Sequence, residues 1–421
     1  MTELHADVAI VGASLAGCTA ARLFALQGLQ VVLVERQSDR AAYKRLCGHF
    51  IQPPAVPVME RLGLAPLIEA AGGVRTHIDL WTKWGPIPHA APGETPGHGY
   101  ALRRSRLDPM LRELAIATPG VTYRGGAAVT GLPEDGGLVA RCADGEIRVK
   151  ARLVVGADGR ASTVAELAGA RTATSTNARF CTMAYFTGVD LGLGPDVSAR
   201  LWAVEGDAAI ASRNDDGVTL LALFLDKQRL ASFRENREAA FLDYWRTLPD
   251  PPRIEGERIS NLIGYLDYPV QDRDVVPRPD VALIGDAAHS ADPVWAIGCG
   301  WAFQSAAWLV DAATPALKGE ATLAQALDGY KRRRKREIGG HQRFLALAAA
   351  STKANPIQKL MFSAAVHDRQ TARLLHAFAA RSIPVRRFLS PRALARAAWV
   401  NLRARFADGN RAPRSTNPVS A

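Results

Sequence analysis

Two stretches of this 421-residue chain carry residue types suited to holding an anionic, ribose-bearing ligand. In the first, Gly12-Ala13-Ser14-Leu15-Ala16-Gly17 follows directly on the apolar run Val8–Val11. A buried strand ending at Val11, a tight glycine turn and a helix starting near Leu15 would aim free helix N–H groups, and the positive end of the helix dipole, into the turn. A pyrophosphate suits that field. A second apolar run, Val31–Val34, ends at Glu35, at about the usual twenty residues' distance, where a carboxylate accepts the hydroxyls of an adenosine ribose and disfavours a 2′-phosphate. Ser14 stands where the G-x-G-x-x-G pattern has its middle glycine. The backbone there approaches a phosphate less closely, and a hydroxyl donates instead.

The second stretch lies far along the chain. Val281-Ala-Leu-Ile-Gly-Asp286 reads as another buried strand ending in a carboxylate at the carboxyl edge of a sheet, where open α/β sheets bind ligands. Asp292-Pro293 and Gly298-Cys299-Gly300 then lead into the helical run Trp301–Val310. N–H groups at the start of that helix would face the pyrimidine edge of a flavin, whose reduced form is anionic, and stabilise it by about 0.3–1 kcal/mol, or up to ~2 in a buried site.

Together with Asp158-Gly-Arg-Ala-Ser162 between them, these pieces resemble the flavoprotein monooxygenase superfamily, which contains the aromatic hydroxylases, the flavin halogenases and the geranylgeranyl-type reductases. The resemblance runs over about residues 7–310. It implies an α/β fold: a Rossmann-type FAD-binding domain interleaved with a mainly β substrate-binding domain, followed by a helical C-terminal extension. By position it assigns Gly12, Ser14, Gly17, Glu35, Asp158, Asp286, Pro293 and Gly298 to FAD, with Arg45 and Arg104 as charge partners for its phosphates and ribitol. Ala13, Arg36, Val129, Cys299 and Gly300 complete the expected cofactor-binding set.

The family's usual reaction reduces FAD with NAD(P)H, adds oxygen at flavin C4a to give a hydroperoxide, and passes the distal oxygen to the substrate. The protein's part is to exclude water and to position the substrate. The resemblance therefore implies hydroxylation or epoxidation of a small aromatic or polyketide-like molecule, with O2 as co-substrate. Electrons would come from NAD(P)H or from reduced flavin delivered by a partner reductase, because Ala165 replaces a frequent family arginine and no second glycine fingerprint is present. Trp295 and Trp301 flank the flavin loop and are expected to wall the substrate pocket, and Trp202 is expected to line it from the sheet, a core position being the alternative. His49 stands at a family position near the flavin and is a candidate general base, a hydrogen-bonded structural histidine being the alternative. No pair of the nine histidines has ligand spacing, and no metal is expected.

Three other activities share these motifs. Halogenases rely on a lysine, and residues 60–82 contain none. Their W-x-W-x-I-P segment is also missing, with Trp202-Ala-Val-Glu205 in its expected place. A prenyl or double-bond reductase would suit a lipophilic pocket. Outside redox chemistry, a flavin-binding protein with a non-redox role is the further alternative.

The hydrophobic fraction of 48% and charged fraction of 22% are those of a globular protein. The FAD-binding domain is expected from residues 1–75, 100–175 and 275–330, and the substrate-binding sheet from 76–99 and 176–274. In 76–99, one strand should precede an irregular loop rich in proline and glycine. The basic helical extension, 331–421, holds 20 Lys and Arg against three Asp and Glu, a net charge of +17, so residues 1–330 are net −6. Packing of this extension on the catalytic domains is the expected arrangement, with weak contact to an anionic membrane as the alternative. No nucleic-acid-binding motif accompanies the charge. Five cysteines without metal or redox spacing, a first strand expected to begin by residue 7 and no apolar run near 18 residues point to a cytoplasmic enzyme.

Overall fold

The computed structural model describes residues 2–88, 97–194, 197–204 and 206–409. Five parallel strands form the centre of the first sheet in the order Val121–Gly125, Val31–Glu35, Thr2–Val11, Gly145–Gly156 and Val281–Leu283. Val31–Val34 and Val281–Leu283 are buried throughout, as parallel strands covered by helices on both faces must be. The strand order reverses direction at Thr2–Val11, which opens a crevice at the carboxyl ends of the strands. Register then delivers the chemistry: Val11 pairs with both Val34 and Gly156, and Gly156 with Leu283. The residues just beyond, Gly12, Glu35, Asp158 and Asp286, are thereby brought to one edge. The first strand starts at Thr2, six residues earlier than its apolar run, because Thr2–Ala6 pair with Ile147–Ala151 of the long neighbouring strand.

A second, seven-stranded sheet takes the order Ile263–Tyr265, Arg179–Phe186, Thr219–Asp226, Asp207–Arg213, Ala199–Val204, Ile78–Thr82 and Gly85–Pro86. Side chains alternate across it. Cys181, Met183, Leu220, Ala222 and Phe224 share one face, and Phe180, Ala184, Leu221, Leu223 and Leu225 pack on the other with Phe233, Phe241 and Trp245. Both faces are covered, so Thr219–Leu225 is a continuous buried run rather than an alternating one. Ile78–Thr82 joins this sheet parallel to Ala199–Val204, and much of the irregular loop expected after it lies outside the described residues.

The C-terminal region folds into helices Leu323–Ala349, Pro356–His367, Arg369–Ala379, Val385–Phe388 and Pro391–Gly409. Leu375, Phe378 and Phe388 form a core with Met361, Leu80 and Ile87, so the extension packs on the edge of the second sheet. Half of its basic run pairs with the acidic body: Lys331 meets Asp274 at 3.0 Å, Arg333 meets Asp311 at 3.0 Å and Arg334 meets Asp272 at 3.6 Å. Pro391 occupies the first turn of the last helix, where its missing N–H costs nothing.

Candidate active site

The crevice of the first sheet and the inner face of the second enclose one continuous cavity of about 690 Å³. At its first end the turn after Val11 is set by glycine. Gly12 has φ +100°, and a Cβ on it would sit 2.5 Å from the Ala157 carbonyl oxygen. A Cβ on Gly17 would fall 1.7 Å from the Gly12 oxygen, so Gly17 lets helix Leu15–Leu26 close on the turn and is not itself in the cavity wall. Ser14 is the N-cap residue of that helix but makes no capping bond. Its hydroxyl instead accepts from Arg104 Nη2 at 2.8 Å, which leaves the helix N–H groups unclaimed by side chains. Glu35 accepts from the Ala13 N–H at 2.8 Å and the Gln37 N–H at 3.0 Å and so ties the second strand to the turn. Arg36 and Val129 line the same end.

Arg104 joins the two ends of the site. It is 3% exposed, and it donates to Asp108 at 2.6 and 2.9 Å. Its Nη1 lies 3.5 Å from Cys47 Sγ and 3.8 Å from Cys299 Sγ. The backbone N–H of Arg104 donates to His49 Nδ1 at 3.0 Å. Neutral His49 accordingly carries its proton on Nε2, which meets the Tyr185 hydroxyl. His49 holds φ +58°, and in the loop across the cavity Ala296 holds φ +51°. Non-glycine residues in this left-handed region cluster at functional sites.

Asp286 pairs with Lys44 Nζ at 2.7 Å, and that carboxylate holds the Lys44 ammonium above the ordinary lysine range. Arg45, the sequence candidate one residue on, is exposed and outside the cavity wall. Asp158 accepts from Ser162 Oγ at 2.5 Å and from the Val164 N–H at 3.0 Å, and burial raises its pKa. In the loop before helix Gly298–Leu317, fully buried Asp292 pairs with Arg179 at 3.3 Å and caps Val294 at 3.2 Å, and burial raises its pKa. Ile297, at the N-cap of that helix, supplies no side-chain cap, so a second set of N–H groups ends near Gly298 and Cys299. Gly300 is not in the wall, although its neighbours Cys299 and Trp301 are.

Trp295 and Trp301 line the cavity. Trp202 does not, which corrects the sequence expectation. It is 0% exposed on the opposite face of the second sheet, with Nε1 donating to the Pro249 carbonyl at 2.8 Å and its ring edge-on to Trp245 at 5.6 Å. Its neighbour Leu201 reaches the cavity instead, as the two-residue period of a strand requires. Residues that sequence reasoning missed include Lys44, Asp108, Tyr185 and Arg381. Arg381, from the C-terminal extension, donates to the Trp295 carbonyl at 2.9 Å and to Gln52 Oε1, and Gln52 donates to the same carbonyl at 3.1 Å. Only Asp108 left a sequence signal, four residues after Arg104 on one helix.

Two helix N-termini without side-chain caps, a carboxylate at the turn and an apolar far end suit a dinucleotide with a planar ring system, and FAD fits this donor set. Residues 5–239 match the model of a family described as FAD binding domain. The chain is similar to kynurenine 3-monooxygenase of Salinispora arenicola, 30% identical over 410 residues that cover 89% of this chain and 86% of that protein. It is also similar to digeranylgeranylglycerophospholipid reductase 1 of Methanothermobacter thermautotrophicus, 34% identical over 179 residues, where the match spans 40% of this chain and 42% of the reductase. Among solved structures, p-nitrophenol 4-monooxygenase from Pseudomonas putida shares the fold, with a TM-score of 0.74, 21% identity and coverage of 90% of this chain and 98% of that one. The chain belongs to the FAD-binding-domain family and is an FAD-dependent oxidoreductase of the monooxygenase type. Among the described residues no helix is long and apolar enough to cross a membrane.

Proposed function

We propose that the enzyme hydroxylates or epoxidises a planar, largely apolar aromatic or polyketide-like molecule. The observation that carries this reading is the division of the cavity: beyond the phosphate turn and the Asp286 edge it is walled by Leu80, Leu201, Ile210, Leu220, Phe224 and Trp295. Bound FAD supplies the oxygen-activating chemistry, which the side chains themselves lack. In this reading Ser14, Glu35 and Arg104 hold the adenosine diphosphate half, and Asp158, Lys44 and Asp286 meet the ribityl side. Gly298 and Cys299 offer N–H groups to the flavin ring. The second sheet keeps water from the reacting face. His49 and Tyr185 hold a proton at Nε2 and the phenol oxygen beside the cavity wall, placed to polarise a substrate hydroxyl. Electrons come from NAD(P)H, or from the reduced flavin of a partner reductase.

Halogenation is disfavoured by the cavity's own lysine. Lys44 is paired with Asp286 at 2.7 Å and so is unsuited to carry an oxidised halogen. The outward side of helix Pro391–Gly409 exposes Trp399, Leu402 and Phe406 beside Arg392 and Arg403, which supports weak contact with an anionic membrane surface. Five free cysteines support a reducing, cytoplasmic setting.

The test is oxygen and NAD(P)H consumption by the purified yellow protein with panels of phenols, aromatic acids and polycyclic ketones, with product masses recorded. Substrate-dependent oxygen uptake and a product heavier by one oxygen atom support the reading. NAD(P)H oxidation with hydrogenated product and no oxygen uptake would overturn it in favour of a reductase.

A further inference from the structure

Cys47 Sγ and Cys299 Sγ lie 3.6 Å apart in the wall of the flavin cavity, although 252 residues separate them in sequence. Their surroundings are asymmetric. The His49 N–H donates to Cys47 Sγ at 3.3 Å, and the Arg104 guanidinium, held by buried Asp108, stands 3.5 Å from Cys47 and 3.8 Å from Cys299. Hydrogen bonding from the Cys299 thiol and the Arg104 charge bring the Cys47 thiol well below the usual range, while the hydrogen bond to Cys47, burial and the Cys47 charge push Cys299 up. The other thiols are unlike this pair: burial raises Cys18, Cys142 and Cys181, and none has a second sulfur beside it among the bonds described. A nucleophilic thiolate beside a resolving thiol is the arrangement that peroxide oxidises selectively.

We propose that Cys47 and Cys299 are a redox-active dithiol that hydrogen peroxide closes to a disulfide inside the flavin cavity. The Cys47 thiolate attacks one peroxide oxygen; the S–O bond forms, the O–O bond breaks, and the departing hydroxide takes a proton to become water. The Cys299 sulfur then attacks the Cys47 sulfenic sulfur; the S–S bond forms, the S–O bond breaks, and the hydroxide released combines with the Cys299 proton as a second water. Two thiols lose two electrons in all, and one peroxide becomes two waters. That peroxide arises in this cavity rests on the oxygenase reading, since reduced flavin that meets O2 without oxygenating a substrate releases it. The reactivity of the pair does not rest on it. The bond would tie the Lys44–His49 segment, and with it the Lys44–Asp286 contact, to the first turn of helix Gly298–Leu317, slowing release of bound FAD.

The full chain, with and without FAD, is treated with a small excess of hydrogen peroxide. Thiols are titrated after denaturation, and intact mass and cross-linked peptides are recorded. The expected result is a fall from five thiols to three, a mass lower by two hydrogen atoms, a Cys47–Cys299 peptide and full reversal by dithiothreitol. Cys299→Ser should gain one or two oxygen atoms at Cys47 and form no cross-link. In Cys47→Ser, oxidation at Cys299 should be slower by about tenfold or more. Five persisting thiols, a different pairing, or equal oxidation rates in the two variants would overturn the proposal. Because added peroxide drives the reaction, a positive thiol result from protein that neither binds FAD nor takes up oxygen would keep this inference while removing the oxygenase reading.

Discussion

The two walls of the cavity are built on different principles. The wall from the first sheet is polar and over-determined: Arg104 alone ties together Asp108, Ser14 and His49, and Glu35 is bound to two backbone N–H groups. The wall from the second sheet is a row of aliphatic and aromatic side chains whose positions follow from strand alternation alone. A fixed cofactor requires fixed charges and donors, whereas a substrate wall needs shape and dryness. Identity of residue matters most on the first wall, and volume on the second.

The contrast breaks most visibly at Arg104. Arg104→Met leaves Asp108, 1% exposed, as an uncompensated buried charge, and should cost about 3–5 kcal/mol of stability, read by denaturant unfolding. A volume-conserving apolar swap on the second wall, which usually costs less than about 1.5 kcal/mol, should not approach that figure. Next in size is an acid effect from the C-terminal side. His341 is buried, stacked on Phe378 at 5.4 Å, with its pKa held down at about 4 by burial. The folded state therefore binds this proton less readily than the unfolded chain. Its stabilisation is complete above about pH 6.5 and is lost as pH falls toward 4, by roughly 3 kcal/mol at most. His341→Phe should flatten that part of the stability profile.

Gly12→Ala comes third. The added Cβ meets the Ala157 carbonyl in a backbone conformation that L residues rarely adopt, and FAD affinity, followed by fluorescence quenching, should fall about a hundredfold, roughly 2.7 kcal/mol. Smaller still is the distinction between neighbours on one strand. Leu201→Ala should raise KM for an apolar substrate about tenfold, roughly 1.4 kcal/mol, whereas Trp202→Phe should lower stability and leave KM unchanged. Equal KM effects at the two positions would contradict the register described. The smallest effect is expected at the half-exposed Lys44–Asp286 pair: Lys44→Gln should weaken FAD binding only a few-fold, with Arg45→Gln without effect.

What the sequence disclosed follows the same division. Gly12, Glu35 and Asp286 were legible because backbone geometry and ligand charge leave few residue types able to serve. Arg104 was legible as a cation, but its partner Asp108 acquires meaning only when the helix Arg104–Ile116 turns inward. Between Lys44 and Arg45 a loop decides which cation faces the site, and no periodicity governs a loop. Trp202 takes the core alternative, which the sequence left open because its strand places two large apolar residues side by side, Leu201 and Trp202, and its one charge, Arg200, is itself buried against Asp79, so the pattern does not show which face is inward. Arg381 and the Cys47–Cys299 pair depend on contacts that span 86 to 329 residues of sequence, which no local pattern encodes. The C-terminal charge asymmetry was plain, yet its partners, Asp272, Asp274 and Asp311, emerged only from packing.

The central claim is that FAD spans the cavity from the Gly12 turn to the Asp286 edge. Titration of cofactor-stripped protein with FAD tests it most directly, comparing the native chain with Gly12→Ala and with Asp286→Ala, by flavin fluorescence and visible absorption. The account predicts saturable one-to-one binding that both substitutions weaken, Gly12→Ala more strongly. A native chain that stays colourless and leaves FAD fluorescence unchanged at every concentration would contradict it.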